Sequence, residues 1–182
     1  MDRQIVSFPI PKTGKISLVV APRAVVESLM TMLAALALRG PVIVVDGGNC
    51  FDGYGLARAI RRRTHEVQAT LEQVQLSRAF TCYQMVAMLA ELPIDGTPVI
   101  VLDMLATFLD ENVQFAKRQR LLDNSLHLLR QISQGAPVAI WSRSRSSPTG
   151  EDQQLLTPLL ENAHDIWELE TPAIPVHQLP LF

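Results

Sequence analysis

The sequence predicts an α/β domain with a mostly parallel sheet and helices on both faces. Three observations carry this. Short, continuously apolar runs recur, Val42–Val45 and Pro98–Asp103 being the clearest, as in parallel strands buried on both faces. Helical patterns fall between them, so strands and helices alternate. The helix expected from about Val25 to Arg39 is apolar nearly all round, which suits a helix packed on a sheet and covered by others. The chain has 182 residues, 48% of them hydrophobic, enough for one domain with a substantial core.

In chain order, Gln4–Ile10 alternates loosely, ends between Pro9 and Pro11, and reads as an edge strand. Thr13-Gly14 turns the chain into a central strand, Ile16–Val20. The apolar helix follows and stops at Gly40-Pro41. After Val42–Val45 comes Asp46-Gly47-Gly48, then a helix over about Gly55–Thr64 with Leu56 and Ile60 inward and Arg58, Arg61 and Arg62 outward. Val74–Leu76 is a third strand. Thr81-Cys82-Tyr83-Gln84 has the form of a capping box, with Gln84 placed to reach the Thr81 amide. Cys82, Met85, Val86 and Leu89 then recur at helical spacing, as a core stripe. The strand Pro98–Asp103 is followed by a helix over Phe115–Gln134 with Leu122, Leu126 and Leu129 inside and Gly135 as its cap. Val138–Trp141 is the next strand, Arg143–Glu151 a polar loop, Thr157-Pro158 the opening of a short helix, and Asp165–Leu169 a last core strand. The domain is expected to span residues 1–170, with a proline-bearing tail over 171–182.

Composition narrows the function classes. A net charge of −2 and a pI near 6.1 give no global basic footprint, so nucleic-acid contact must rest on local patches. Cys50 and Cys82 form no C-x-x-C pair, which fits a reducing cytoplasm and points to neither zinc nor a disulfide framework. No signal peptide is expected at Met1–Lys15, and the most apolar run, Leu29–Leu38, is about half the ~20 residues of a membrane span. His65, His127, His164 and His177 share no ligand spacing, so no metal or other cofactor is expected.

The stretch Ile16–Leu29 has the strand, loop and helix order of a phosphate-binding loop. Laid on G-x-x-x-x-G-K-[ST], Ala21 and Val26 take the glycine places, Glu27 takes the lysine place, and Ser28 alone is of the expected type. A carboxylate beside a phosphate is repelled by about 4 kcal/mol per unit charge at ~4 Å and an effective dielectric of ~20. Val26 also crowds the backbone approach. The expectation is a loop that keeps the architecture and loses the chemistry; an ordinary strand-turn-helix accounts for the same residues.

Over Gly14–Glu170 the order of elements resembles the ATPase core of RecA and RadA-type recombinases. GKISLVVAP is similar to their strand into the phosphate loop, and VIVVDGGNCFDGYGLARAI resembles their D-[TS]-E-x-x-F segment, with Asp46 and Phe51 matching and Gly48 where the water-activating glutamate belongs. PVIVLDM is similar to the Walker B strand, with Asp103 at the magnesium-associated aspartate; a strand-end aspartate also caps turns. VAIWSR resembles the strand leading to the second DNA-binding loop, which makes Arg143 and Arg145 the candidates for weak single-stranded DNA contact, with Trp141 either a stacking face or a core residue. Arg58, Arg61, Arg62 and Arg63 form a second basic cluster that reads as a solvated face before it reads as a phosphate contact. The resemblance thus implies a RecA-like pseudo-ATPase, with residual nucleotide binding left open. It extends to reduced RecA-like proteins of two kinds, namely translesion accessory proteins of the ImuA type and cell-division inhibitors of the SulA type, which act through protein contacts alone.

Gln178-Leu179-Pro180-Leu181-Phe182 resembles the Q-L-x-L-F pentapeptide by which bacterial polymerases and repair factors dock on the replicative sliding clamp. Gln178 offers an amide, while Leu179, Leu181 and Phe182 offer apolar anchors. Pro172, Pro175 and Pro180 favour an extended chain and lower the entropy lost on docking. The expected partners are that clamp and, beyond it, a RecA-like or polymerase protein, with no membrane involved.

Overall fold

The computed structural model describes residues 8, 10–145 and 148–169. Six parallel strands form one sheet: β1 (Ile16–Ala21), β2 (Val42–Asp46), β3 (Val74–Arg78), β4 (Val99–Leu102), β5 (Val138–Arg143) and β6 (Asp165–Glu168). Their order across the sheet is β3-β2-β4-β5-β1-β6, consistent with a RecA-like α/β core. The four central strands are almost wholly buried, as their unbroken Val, Ile and Leu runs require of strands covered on both faces.

The helices are α1 (Val26–Ala37), α2 (Gly53–Arg61), α3 (Val67–Leu71), α4 (Cys82–Ala90), α5 (Phe115–Gly135) and α6 (Gly150–Asn162). Alternation along the strands divides the core in two. Leu29, Leu33 and Leu36 of α1 and Leu56 and Ile60 of α2 pack with Val19, Val44 and Trp141 on one face. Met85 and Leu89 of α4, Leu122, Leu126 and Leu129 of α5 and Leu155 and Leu159 of α6 pack with Leu18, Val45 and Ile140 on the other. The chain therefore leaves β1 over one face and its neighbour β5 over the opposite face. That reversal opens a crevice at the carboxyl ends of the strands, where open α/β sheets bind ligands.

Several expectations need correction. Thr157-Pro158 does not open a helix: α6 starts earlier, behind a full capping box in which the Thr149 hydroxyl accepts from the Asp152 amide and the Asp152 carboxylate accepts from the Thr149 amide. Pro158 lies inside that helix, where its missing N–H costs one bond; the burial of Leu155 and Leu159 on either side holds the helix together. The polar loop expected over Arg143–Glu151 is shorter at both ends, because β5 runs to Arg143 and α6 begins at Gly150. Gln84 does reach back, but to the Phe80 amide at 2.8 Å, while the Thr81 hydroxyl caps the Gln84 amide. Gly135 ends α5 inside the helix, and Ala136 is the cap. The Asp165–Leu169 segment is an edge strand, half exposed. The short helix α3 carries no signal strong enough to predict. Of the expected strand Gln4–Ile10, Phe8 and Ile10 are described and lie in no strand, and Phe8 is buried against the α1 face.

Candidate functional site

Asp46 and Arg143 end β2 and β5, Asp103 follows directly on β4, and all three lie at the carboxyl edge of the sheet. Asp46 is fully buried. Its carboxylate accepts from the Cys50 amide at 3.0 Å, the Phe51 amide at 3.0 Å and the Cys50 thiol at 3.3 Å, and Arg78 Nε stands 3.6 Å away. Turn chemistry accounts for this locally: an aspartate followed by Gly-Gly-Asn lets the next turn fold back onto its own side chain. Burial beside Asp46 pushes the Cys50 thiol far above its usual range, so Cys50 is no nucleophile near neutral pH.

Asp103 is 3% exposed and sits just past β4 in the left-handed region, at φ 48° and ψ 52°. Asn49, across the crevice, is left-handed too, at φ 49°. Asp103 Oδ1 accepts from the Arg143 amide at 3.2 Å, and Oδ2 is 2.7 Å from the Arg143 guanidinium. Burial raises the Asp103 pKa above the ordinary carboxylate value; Arg143 offsets only part of that rise. Gly48 lies directly against this carboxylate. A Cβ there would fall 2.5 Å from the Asp103 Cβ and 2.4 Å from Oδ2. The position that the resemblance reserves for a glutamate thus has no room for any side chain while Asp103 stays where it is.

The loop after β1 is tight. Ala21 is the buried last residue of the strand, Pro22 follows, and Arg23–Val25 wind directly into a 3₁₀ turn that feeds α1. Val26 and Glu27 open α1, and Ser28 is buried one residue on. Glu27 pairs with Arg58 of α2 at 2.8 Å. The side chain at the lysine place therefore engages a cation on the neighbouring helix.

Both candidate DNA-contacting arginines are also engaged. Arg143 holds Asp103, and Arg145 Nη1 is 3.1 Å from both oxygens of Asp152. Burial works against the Asp152 charge, yet the Thr149 amide and hydroxyl together with Arg145 hold its pKa below the usual carboxylate value. Trp141 is 1% exposed and donates its indole N–H to the Ala21 carbonyl, so it packs in the core and presents no stacking face. Between these ion pairs and α6 lies a cavity of about 210 Å³, walled by Val20, Leu105, Leu109 and Leu156.

The structure thus brings Gly48, Asp103 and Arg143 together and leaves Glu27 with Arg58. The pairings 103–143, 145–152 and 27–58 were not legible in the sequence, because each joins residues of different elements. Ser146, Ser147 and the tail residues Gln178, Leu179, Leu181 and Phe182 lie outside the described residues, as does His177. His164 Nδ1 accepts from the Ile16 amide, a structural bond. Among the described residues no group of three His, Cys, Asp or Glu side chains could hold a metal ion, and no helix is long and apolar enough to cross a membrane. No protein-family model matches the chain, and no curated protein matches it in sequence.

Proposed function

We propose that this protein is a catalytically inactive RecA-like accessory factor of the bacterial cytoplasm, serving DNA-damage tolerance or replication and brought to the sliding clamp by the Gln178–Phe182 sequence. The observation that carries the inactive core is the bonding of Asp103. At the place of a magnesium-associated aspartate, one oxygen accepts from the backbone and the other is paired with a guanidinium. A cation bound there would have to displace Arg143. The Glu27–Arg58 pair and the filled space at Gly48 support the same reading.

Clamp docking rests on the sequence. Burying Leu179, Leu181 and Phe182 supplies about 1.5 to 3 kcal/mol each before ordering costs. After several kcal/mol of association cost, an exchangeable contact on the order of micromolar remains. Surface-biosensor titration of the full chain over immobilised bacterial clamp tests this: the wild type binds, and changing Gln178, Leu181 and Phe182 together to alanine abolishes binding with the melting temperature kept within a few degrees. No wild-type binding at high micromolar concentration would refute the clamp assignment.

A second reading, a SulA-like regulator acting on protein partners without DNA, is favoured by the engagement of Arg143 and Arg145 with Asp103 and Asp152. Low-salt titration with single-stranded DNA separates the two, since phosphate contacts must show a salt-dependent affinity.

A further inference from the structure

The two edges of the sheet are unlike. β6 carries Asp165 and Glu168, with Lys15 3.4 Å from Asp165, and such charges discourage pairing with another strand. β3, at the other edge, reads Val-Gln-Leu-Ser-Arg; its last four residues are exposed, and it holds neither proline, lysine nor bulge. Its one charge, Arg78, leans on Asp46. Leu76 is 38% exposed at the centre of the strand, and Phe80, just past its end, is 68% exposed.

The ends of β3 fix which backbone groups are free. The Gln73 carbonyl accepts from the Val42 amide at 2.9 Å, and the Ala79 amide donates to the Asp46 carbonyl at 3.0 Å. Successive residues of a strand direct these groups to opposite sides. Residues 73, 75, 77 and 79 therefore face β2, while Val74, Leu76 and Arg78 direct their N–H and C=O groups out of the sheet.

We propose that this edge is a homodimer interface, in which a second copy of the chain adds its own β3 antiparallel across a two-fold axis at Leu76. In that register Leu76 faces Leu76, and Val74 faces Arg78 in both directions. The three pairs made by Val74, Leu76 and Arg78 consist of outward-directed residues, giving about six inter-chain backbone hydrogen bonds. A slip of one residue sets outward groups against inward ones; axes at Gln75 or Ser77 still pair outward residues, but within Val74–Arg78 they make about four bonds and do not set Leu76 on its twin. An axis at Arg78 sets two guanidinium groups opposite each other, which is unfavourable, and an axis at Val74 sets Leu76 against Glu72 at the end of α3. Leu76 is the centre at which the polar backbone pairs, the exposed leucine is covered by its twin, and no like charges meet. The contact is isologous and closes at two copies.

The test is sedimentation of the full chain from about 1 to about 100 µM, where a self-association shows as a concentration-dependent mass, together with Leu76→Cys under mild oxidation. Cys50 and Cys82 are buried, so the added thiol is the reporter. Facing residues of a hydrogen-bonded antiparallel pair have Cα atoms about 5.5 Å apart, inside the roughly 4.4–6.8 Å that a disulfide spans. Leu76→Cys should give a covalent dimer at least tenfold faster (about 1.4 kcal/mol) than the off-axis control Gln75→Cys. Leu76→Pro removes an N–H that β2 does not use, and should give a folded monomer. A monomer at every concentration, equal cross-linking of Gln75→Cys and Leu76→Cys, or growth beyond the dimer into filaments would each overturn the proposal. If Leu76→Pro fails to fold, the cysteine pair decides alone.

Discussion

Asp46 and Asp103 stand at the ends of neighbouring strands, β2 and β4, and both are buried, yet they are held by different physics. Asp46 is bonded by the backbone of its own next turn, through Cys50 and Phe51. Asp103 is bonded by a residue forty positions away whose side chain is 37% exposed. The first arrangement is local; the second depends on a guanidinium from another strand that is partly exposed to water. A strand-end aspartate is thus a structural bracket in one case and half of an ion pair closing a crevice in the other.

Replacing each by asparagine should separate them most widely. In Asp46→Asn the NH₂ must replace one of two oxygens that both stand 3.0 Å from the Cys50 N–H, setting donor against donor in a buried site and removing the charge, at a cost of about 1–3 kcal/mol. Asp103→Asn should cost less, because burial already disfavours the Asp103 charge and the amide oxygen can keep the bond from the Arg143 N–H. Denaturant unfolding of the two variants reads the difference directly, and equal losses would erase the distinction.

Gly48→Ala probes the crevice from the opposite wall. The new Cβ would overlap the Asp103 Cβ, which is not the movable end of a side chain, so an overpacking loss of about 1–3 kcal/mol is expected. Adding Asp103→Gly, which removes the colliding atoms and suits the left-handed backbone, should recover part of that loss. A double variant no better than the sum of its parts would mean the two sites are not coupled.

The turn after Asp46 was visible in the run Asp-Gly-Gly-Asn, as were the buried strands Val42–Val45 and Pro98–Asp103. The bridge at Asp103 was not. Nothing near Asp103 in sequence says that Arg143 will stand beside it, because that neighbourhood is set by β5 inserting between β1 and β4. The extent of α6 was hidden for a different reason: Pro158 is a strong local breaker, and the capping box at Thr149 together with buried Leu155 and Leu159 outweighed it. The compact turn after β1 was half legible. The missing glycines predict that no phosphate cradle forms, while the partner of Glu27 lies on a helix thirty-one residues away.

A smaller effect concerns pH, and here the two carboxylates of the crevice oppose each other. The Asp152 pKa is lowered in the folded chain, so its contribution is present above the ordinary carboxylate pKa of about 3.9 and is lost as pH falls through the folded value. The Asp103 pKa is raised, so its charge opposes folding above the folded value, and that penalty is relieved as pH falls from there toward about 3.9. Asp152→Asn should therefore flatten the acid loss of stability, whereas Asp103→Asn should remove a gain on mild acidification. Melting curves from neutral pH to pH ~3 check both signs.

If the nucleotide-type edge of this fold is closed by its own side chains, magnesium-ATP has nowhere to bind, and isothermal titration of the full chain tests that most directly. The wild type should give no saturable heat up to high micromolar nucleotide, and neither should Glu27→Lys, which gives up the pair with Arg58 without creating a loop. Micromolar ATP binding by the wild type that is lost in Ser28→Ala would contradict a closed edge.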